Sequence, residues 1–517
     1  MTATAVFRFY RAALAPKYIT EYCRALYFNA IYATIICKYQ QKAVPLHEIM
    51  LTILLSLIDH ILNKLTLSET KTKVIRNLLW AVIGKVVTLL GSLLVGIFVA
   101  RYLGPEQYGL MNYVVSYVAL FQVFASFGLD SIEIREEAKC KGTGEYGRTP
   151  SAEANTILGT AFGLKLIFAA VTMVLVIATA WIFEADAFTK WMITLYSLSM
   201  IMQTFSVIRN YFTSIVWNEY IVKTEISRTL IGAGIKVVLL LLHAPLVWFI
   251  AATLFDTVLI AGGYLLSYQK KIASPRLWAF DKTTAKYLIK EAFPLLLSGA
   301  AVVIYQRIDQ VMIGNMIDKE AVGYFSVAVA FVSVILFIPS ILSQTIAPIL
   351  VQIREKNAQE YEQKALTFIG LTVWVCIIIC ILVTLCAKWL VLLTFGKQYL
   401  PTIPVLQIMS FKVIGMALSE TAGQMIIIEK QQKYAFIRNL LGCIVCIILN
   451  LLFIPQYGII GSAIVTIITT LFVGWIANLL IPPYWRYFKN QTKALLFGWY
   501  DLFRIVHHQL TKKYINE

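Results

Sequence analysis

Charge is the first thing this sequence is short of. Only 14% of its 517 residues are Asp, Glu, Lys or Arg, and 59% are hydrophobic, whereas a soluble domain carries about 25% charge. The mean hydropathy of +0.74 agrees, and together these values exclude a soluble domain and indicate a polytopic membrane protein. Acidic residues are scarcer still: 28, against 45 basic ones, for a net charge of +17. A nucleic-acid binder gathers such an excess on one soluble face. Here the basic residues sit between apolar runs, which argues against a nucleic-acid partner and for a cytoplasmic membrane surface. There is no P-loop, no Gly-rich nucleotide fingerprint, and no paired-carboxylate or nucleophile motif in a suitable context. No enzyme, metal or cofactor is therefore expected, and no ATP-driven step. The eight cysteines lie mostly in apolar runs or in loops expected in the cytoplasm, so they imply no disulfide framework. Cys443-x-x-Cys446 has no flanking ligand set and reads as packing.

What the chain does have is long apolar runs. About 20 apolar residues cross a bilayer's hydrocarbon core. That rule predicts helices over 78–100, 109–129, 156–182, 190–212, 226–242 and 246–268, then over 288–314, 321–347, 366–387, 402–428, 435–454 and 458–481. Between the first two lies VARYLGPEQYGLMNY, Val99 to Tyr113, where Gly104-Pro105 ends one helix and turns the chain back. A related hinge, IGNMIDKEAVGYFSV, follows 214 residues later and sets Glu106 over Glu320, Gly109 over Gly323 and Asn112 over Ser326. Glu106 and Glu320 are expected to cap the next helix, where a carboxylate is favoured by a few tenths to 1 kcal/mol. At an offset of 210, Arg228, Leu230, Gly232 and Pro245 fall on Arg438, Leu440, Gly442 and Pro455. Two echoes at corresponding places indicate duplication. The expected fold is an all-α polytopic membrane protein with about 12 transmembrane helices in two pseudo-symmetric six-helix lobes, 74–268 and 288–485, joined by a cytoplasmic linker at 269–290.

Lys and Arg decide the sidedness. One side holds Lys64, Lys71, Lys73 and Arg76, Arg135 to Arg148, Arg209, Lys223 and Arg228, Lys270 to Lys290, Arg354 to Lys364, Lys430 to Arg438 and a basic tail at 486–517; the other holds only Arg101, Lys190, Lys319, Lys388 and Lys397. Both termini are thus expected in the cytoplasm, with the multi-pass chain in the cell (inner, cytoplasmic) membrane. Residues 1–73 form a cytoplasmic or interfacial extension without a secretory pattern. Within it, Met50 to Leu65 patterns as an amphipathic interfacial helix whose Asp59 and His60 lie on the wet face, and Met50 is a natural start.

The run GKVVTLLGSLLVGIFVARYLGPEQYGLMNYVVSYVALFQVFASFGLDSIEIRE at 84–136, with YQRIDQVMIGNMIDKEAVGYFSVA at 305–328 and NLLFIPQYGIIGSAIVT at 450–466, resembles the polysaccharide-transport flippases. These are the O-antigen and exopolysaccharide repeat-unit flippases of the MATE-like multidrug/oligosaccharidyl-lipid/polysaccharide superfamily. The resemblance covers about residues 74–485; the first 70 residues have no counterpart. It implies two lobes around a central cavity that opens alternately inward and outward. It also implies a polyprenyl-pyrophosphate-linked oligosaccharide as cargo, lipids as surroundings, and polysaccharide polymerase and glycosyltransferases as neighbours in cell-surface polysaccharide biosynthesis. The alternatives are a cation-coupled multidrug or small-molecule exporter of the same superfamily, which would want an acidic or aromatic cavity, and a membrane-embedded glycosyltransferase or polymerase, which would want larger external loops. A scaffold or channel without a transport cycle fits a duplicated chain less well.

Charges near mid-bilayer cost about 2.5 to 3.5 kcal/mol each on insertion scales and need a partner or a watery cavity. Lys85, Lys165, Lys236, Arg307 and Lys412 are the candidate cations, and Asp256, Asp309 and Glu420 the candidate acids. Arg307 and Asp309, two apart, point to nearly opposite helix faces and must each look elsewhere. Lys85 lies about 10 Å, and Arg307 more than about 20 Å, from the cytoplasmic ends of their helices at roughly 1.5 Å per residue. If helices 1 and 7 line the cavity, Lys85 and Arg307 form steps for a pyrophosphate or acidic sugars, with Lys165, Lys236 and Lys412 as further candidates. Asp309, Asp256 and Glu420 are candidates for coupling to a Na⁺ or H⁺ gradient. The competing expectation is that these cations and acids neutralise one another.

Overall fold

The computed structural model describes residues 69–140 and 149–515, with side chains from 84 to 500 outside the break. Among the described residues nine stretches are long and apolar enough to cross a membrane. The first helix, α1 (Glu69–Ser126), breaks at Gly104. There φ is +73°, a left-handed conformation that favours glycine, and Pro105 starts a second arm. After the short α2 (Leu129–Glu137) come α3 (Ala152–Phe183), α4 (Ala187–Ser214), α5 (Asn218–Leu241) and α6 (Leu246–Lys271). The C-lobe opens with α7 (Lys282–Met316) and continues through α8 (Lys319–Lys356), α9 (Ala358–Thr394), α10 (Thr402–Ile428) and α11 (Gln432–Leu480), which breaks at Gly458. Counting the arms of α1 and α11 separately and adding α5, too charged for the apolar criterion, gives the expected twelve crossings. Their outer faces carry exposed Leu, Ile, Phe and Trp, such as Leu175, Phe183, Trp191, Leu385 and Trp389, the surface that a lipid solvent requires.

A further helix, α12 (Trp485–Ile515), occupies the segment read as a basic tail. Its first part packs on the C-lobe: Gln491, fully buried, donates to the carbonyls of Leu418 and Gly474, Trp374 donates to the Ala494 carbonyl, and Gly498 lies against Gly370. The cap of α8 is Asp318, which accepts from the Ala321 amide, and not Glu320. Glu320 sits in the first turn, still near the helix N-terminus, and accepts from the Tyr324 hydroxyl.

The two hinges meet. A methyl group on Gly109 would overlap the Lys319 carbonyl, and one on Gly323 would overlap the Pro105 carbonyl. These are corresponding positions of the two repeats, so the contact is reciprocal. Around it the lobes share one apolar core that includes Tyr108, Tyr113 and Phe249 from one lobe and Val322, Phe325 and Tyr399 from the other. Polar bonds reinforce it. Arg101 Nη2 donates to the Leu393 carbonyl (2.6 Å), Gln398 to the Arg101 carbonyl (3.1 Å) and Tyr399 to the Ala100 carbonyl (2.9 Å). Tyr113 Oη lies 2.6 Å from Asn315 Oδ1 and 2.8 Å from Glu184 Oε2, with the Lys319 ammonium 3.2 Å over its ring. At the opposite end, the polar contacts between lobes among the described residues come from the start of α7, as in Arg135–Glu291 (2.8 Å) and Tyr287–Glu136 (3.1 Å). A second apolar cluster there packs Ala285, Leu288 and Ala292 of α7 against α2, α3, α4 and α6. Helix α7 thus belongs to both lobes.

The glycine contact leaves no room for a side chain. Gly109→Val and Gly323→Val should each lower stability by about 1–3 kcal/mol, the usual cost of overpacking, or separate the hinges. Thermal unfolding of the purified chain reads the first effect, and protease accessibility at the hinges the second.

Candidate functional site

Because α7 sits between the lobes, its two faces do different work. Residues 303, 306 and 307 fall on one face, and 305 and 309 on the other. The first face borders a cavity of about 410 Å³, within the range of small-molecule sites. Its other walls are Ala119, Gln122, Val123 and Ser126 of α1, Asp130 of α2, Lys165 of α3, and Met200, Gln203, Thr204 and Ser206 of α4. Amide and hydroxyl groups dominate the polar lining, with two cations among them.

Those cations differ. Lys165 is fully buried and already neutralised: its ammonium lies 2.7 Å from Asp130 Oδ1 and 2.8 Å from Glu133 Oε1, and donates to Ser206 Oγ at 3.2 Å. Arg307 lines the same cavity with no ion pair or hydrogen bond among the described residues, and it is exposed to the cavity. The structure therefore brings Lys165 and Arg307 together. Lys85 is exposed on the first arm of α1, does not line this cavity, and has no polar partner among the described residues.

On the other face of α7, Asp309 is 2% exposed. It accepts from Asn450 Nδ2 and Thr466 Oγ1, both at 2.7 Å, with Cys446 Sγ at 3.6 Å. The other side-chain atom of Asn450, Oδ1, is buried and unpartnered, as is Ser462 Oγ one turn from Thr466 on α11. Lys412 is buried on α10 and feels the Asp309 charge without an ion pair within 4 Å. Glu420, half-buried, makes no ion pair either; the nearest opposing charge is Arg438.

A smaller cavity of about 240 Å³ lies inside the N-lobe between α1, α5 and α6. Lys236 and Asp256 face each other across it at 2.6 Å, and Arg228 borders it. This is one of the neutralising pairs the sequence allows. The pairing of Lys165 is different, because its partners lie on α2, beyond the end read for helix 2.

Several site residues escape sequence reasoning. Arg438 served there only as a repeat marker on the cytoplasmic side; it is 7% exposed, with Nε and Nη1 unpartnered. Asp130, Glu133 and Glu137 were hidden in a segment read as a basic loop. Their spacing of three and four residues was the available signal.

The family described as polysaccharide biosynthesis protein matches residues 74–354, a little over half of the chain. The chain belongs to that family. Among curated proteins, the capsular polysaccharide biosynthesis protein CapF of Staphylococcus aureus is 28% identical over 245 residues, 46% of this chain. The matched segment spans 59% of the length of CapF. Among solved structures, the lipid II flippase MurJ in an inward closed conformation aligns with a TM-score of 0.62 at 15% identity, covering 81% of this chain and 91% of that one. An inward-facing multidrug resistance MATE family transporter of the MOP superfamily aligns with a TM-score of 0.57 at 15% identity, covering 82% and 96%. This member of the polysaccharide biosynthesis family thus shares the fold of both, with its own residues lining the cavity.

The Lys165 cluster gives a direct test of how the cavity wall is held. Removing one partner of a buried ion pair costs about 3–5 kcal/mol. Lys165→Met should therefore lower stability by that order, and adding Glu133→Gln should recover part of the loss, read as thermal unfolding in detergent.

Proposed function

We propose that this protein flips polyprenyl-pyrophosphate-linked oligosaccharide repeat units from the inner to the outer leaflet of the cytoplasmic membrane by alternating access, for cell-surface polysaccharide biosynthesis. The observation that carries this reading is Arg307, a guanidinium without an ion-pair partner among the described residues, bordering a cavity otherwise lined by amides, hydroxyls, apolar groups and the paired Lys165 and Asp130. A planar fork of N–H donors suits a diphosphate, and the amides and hydroxyls around it suit a sugar. A volume of about 410 Å³ takes the diphosphate and the first sugar; the polyprenyl chain stays in the bilayer. The likeness to a lipid II flippase, MurJ, and to a capsular polysaccharide biosynthesis protein, CapF, supports the choice of a lipid-linked glycan over other cargo.

The positive-inside distribution puts the hinge end outward. In that orientation the conformation seen here is closed to the outside by the hinge contact, and the cavity lies toward the cytoplasm, where the cargo is made. A cationic drug finds little counter-charge in this cavity: its acidic lining residue, Asp130, is held by Lys165. Lys165 and Lys236, each bound to a carboxylate, shape the walls in this reading, while Lys85, nearer the cytoplasmic end, meets the diphosphate first. Asp309, with the spare acceptor Asn450 Oδ1 on the residue that donates to it, is the place in the C-lobe for a coupling Na⁺ or H⁺. Lys412 biases its charge, and Asp256 and Glu420 are the alternative coupling acids.

The test is leaflet exchange of a labelled polyprenyl-pyrophosphate sugar in vesicles carrying the full chain, with and without Na⁺ or pH gradients. Arg307→Ala should cut the initial rate at least tenfold at unchanged insertion, and Arg307→Lys should keep part of it. Asp309→Asn should abolish the response to the gradient. Full exchange by Arg307→Ala would remove the diphosphate reading.

A further inference from the structure

Helix α2 carries Asp130, Glu133 and Glu137 on one face, and that face turns into the N-lobe: Glu133 is 0% and Glu137 3% exposed. Among the described residues the face meets one buried cation, Lys165, bound to Asp130 and Glu133. Asn210 Nδ2 adds bonds to Asp130 Oδ1 (2.8 Å) and Glu133 Oε2 (2.6 Å). Glu137, one turn on, receives neither: both its carboxyl oxygens are buried without a hydrogen-bond partner.

Among the described residues, no donor or cation reaches bonding distance of the Glu137 carboxyl oxygens. Glu133 on its own helix repels its negative charge, Lys165 on α3 attracts it from beyond Glu133, and Tyr211 on α4, Tyr268 on α6 and Cys140 add no positive charge. Ser214 on α4 lies beside it and eases its charge, but the Ser214 hydroxyl donates to the Tyr211 carbonyl at 2.8 Å. Arg209 is half-exposed and turned to Glu225 at 3.6 Å. An ionised carboxylate in such a place is costly, whereas a protonated one can donate.

We propose that Glu137 is a buried proton-binding site of the N-lobe, and that Lys165 sets how many protons the α2 cluster holds. With the ammonium on Glu133 the site holds one proton, on a Glu137 oxygen. With the ammonium withdrawn, Glu133 takes a second proton from solvent, forming one O–H bond with no change of oxidation state. Because Lys165 and Asp130 also border the interlobe cavity, an anion in the cavity competes for that ammonium. Cavity charge and proton count are thereby linked, whatever the cargo is.

Burial, with the Glu133 charge adding to it, lifts the Glu137 carboxyl well above its ordinary value of 4.5, in line with this geometry. Between that value and its folded value the native state binds more protons than the unfolded one, so stability falls as pH rises. Infrared titration of the purified full chain, following the carbonyl stretch of protonated carboxyls, tests the assignment. At neutral pH a band should be present that Glu137→Gln removes and Glu133→Gln leaves. Lys165→Met should gain a second band that Glu133→Gln abolishes. Glu137→Gln, near-isosteric and neutral, should fold and should flatten the decline of thermal stability with rising pH. If Lys165→Met does not fold, the comparison of the two glutamine variants decides alone. An unchanged neutral-pH spectrum in Glu137→Gln overturns the site, and an unchanged proton count in folded Lys165→Met overturns the role of Lys165.

Discussion

Two pieces of backbone press against each other where the lobes join, Gly109 on the Lys319 carbonyl and Gly323 on the Pro105 carbonyl, and neither tolerates a side chain. The repeat makes this contact symmetric, so each hinge supplies both the notch and the carbonyl that fills it. Close approach brings the flanking aromatics Tyr108, Tyr399 and Tyr324 edge to face at 6.2–6.4 Å and lets Arg101, Gln398 and Tyr399 reach main-chain carbonyls or, for Arg101, both give and receive such bonds. Removal of the contact would undo the shared core at this end. The other end has no reciprocal glycine contact among the described residues; there Gly128 lies against the backbone of Ala292 and Leu296, where α7 crosses from one lobe to the other.

Inside the membrane the second constraint is charge. Several of the intramembrane ionisable groups are satisfied locally: Lys165 is paired with Asp130 and Glu133, Lys236 with Asp256, and Asp309 accepts from Asn450 and Thr466. Arg307 stands apart, since its face of α7 looks into the cavity while the Asp309 face is buried against α11. One helix thus separates a polar packing site from a wet surface by its periodicity alone, and the separation lets the cavity keep a free positive charge.

Much of this was legible in the residues. Twelve spans followed from apolar length, the paired hinges from the two Gly-containing echoes, and the divergence of Arg307 and Asp309 from a spacing of two on a helix. Three things were not. The partners of Lys165 were hidden because they lie in a nine-residue helix past the end of the span, among Arg135 and Lys139, where the local composition signals a basic loop. Arg438 read as a cytoplasmic charge because sequence cannot tell a side chain that leaves the membrane from one folded back among Tyr305, Glu420 and Tyr484. The tail read as a basic cytoplasmic segment because α12 alternates basic and apolar residues, and only packing reveals that Gln491 and Ala494 face the C-lobe.

The central claim is that cargo moves only when the hinge contact opens. The most direct measurement is leaflet exchange of a labelled polyprenyl-pyrophosphate sugar by the chain carrying Arg101→Cys and Gln398→Cys, whose unmodified residues are joined by a hydrogen bond of 3.1 Å across the lobes. With the two positions cross-linked, exchange should stop, and cleaving the link should restore it to the rate of the unlinked chain. Undiminished exchange in the fully cross-linked protein would contradict the account.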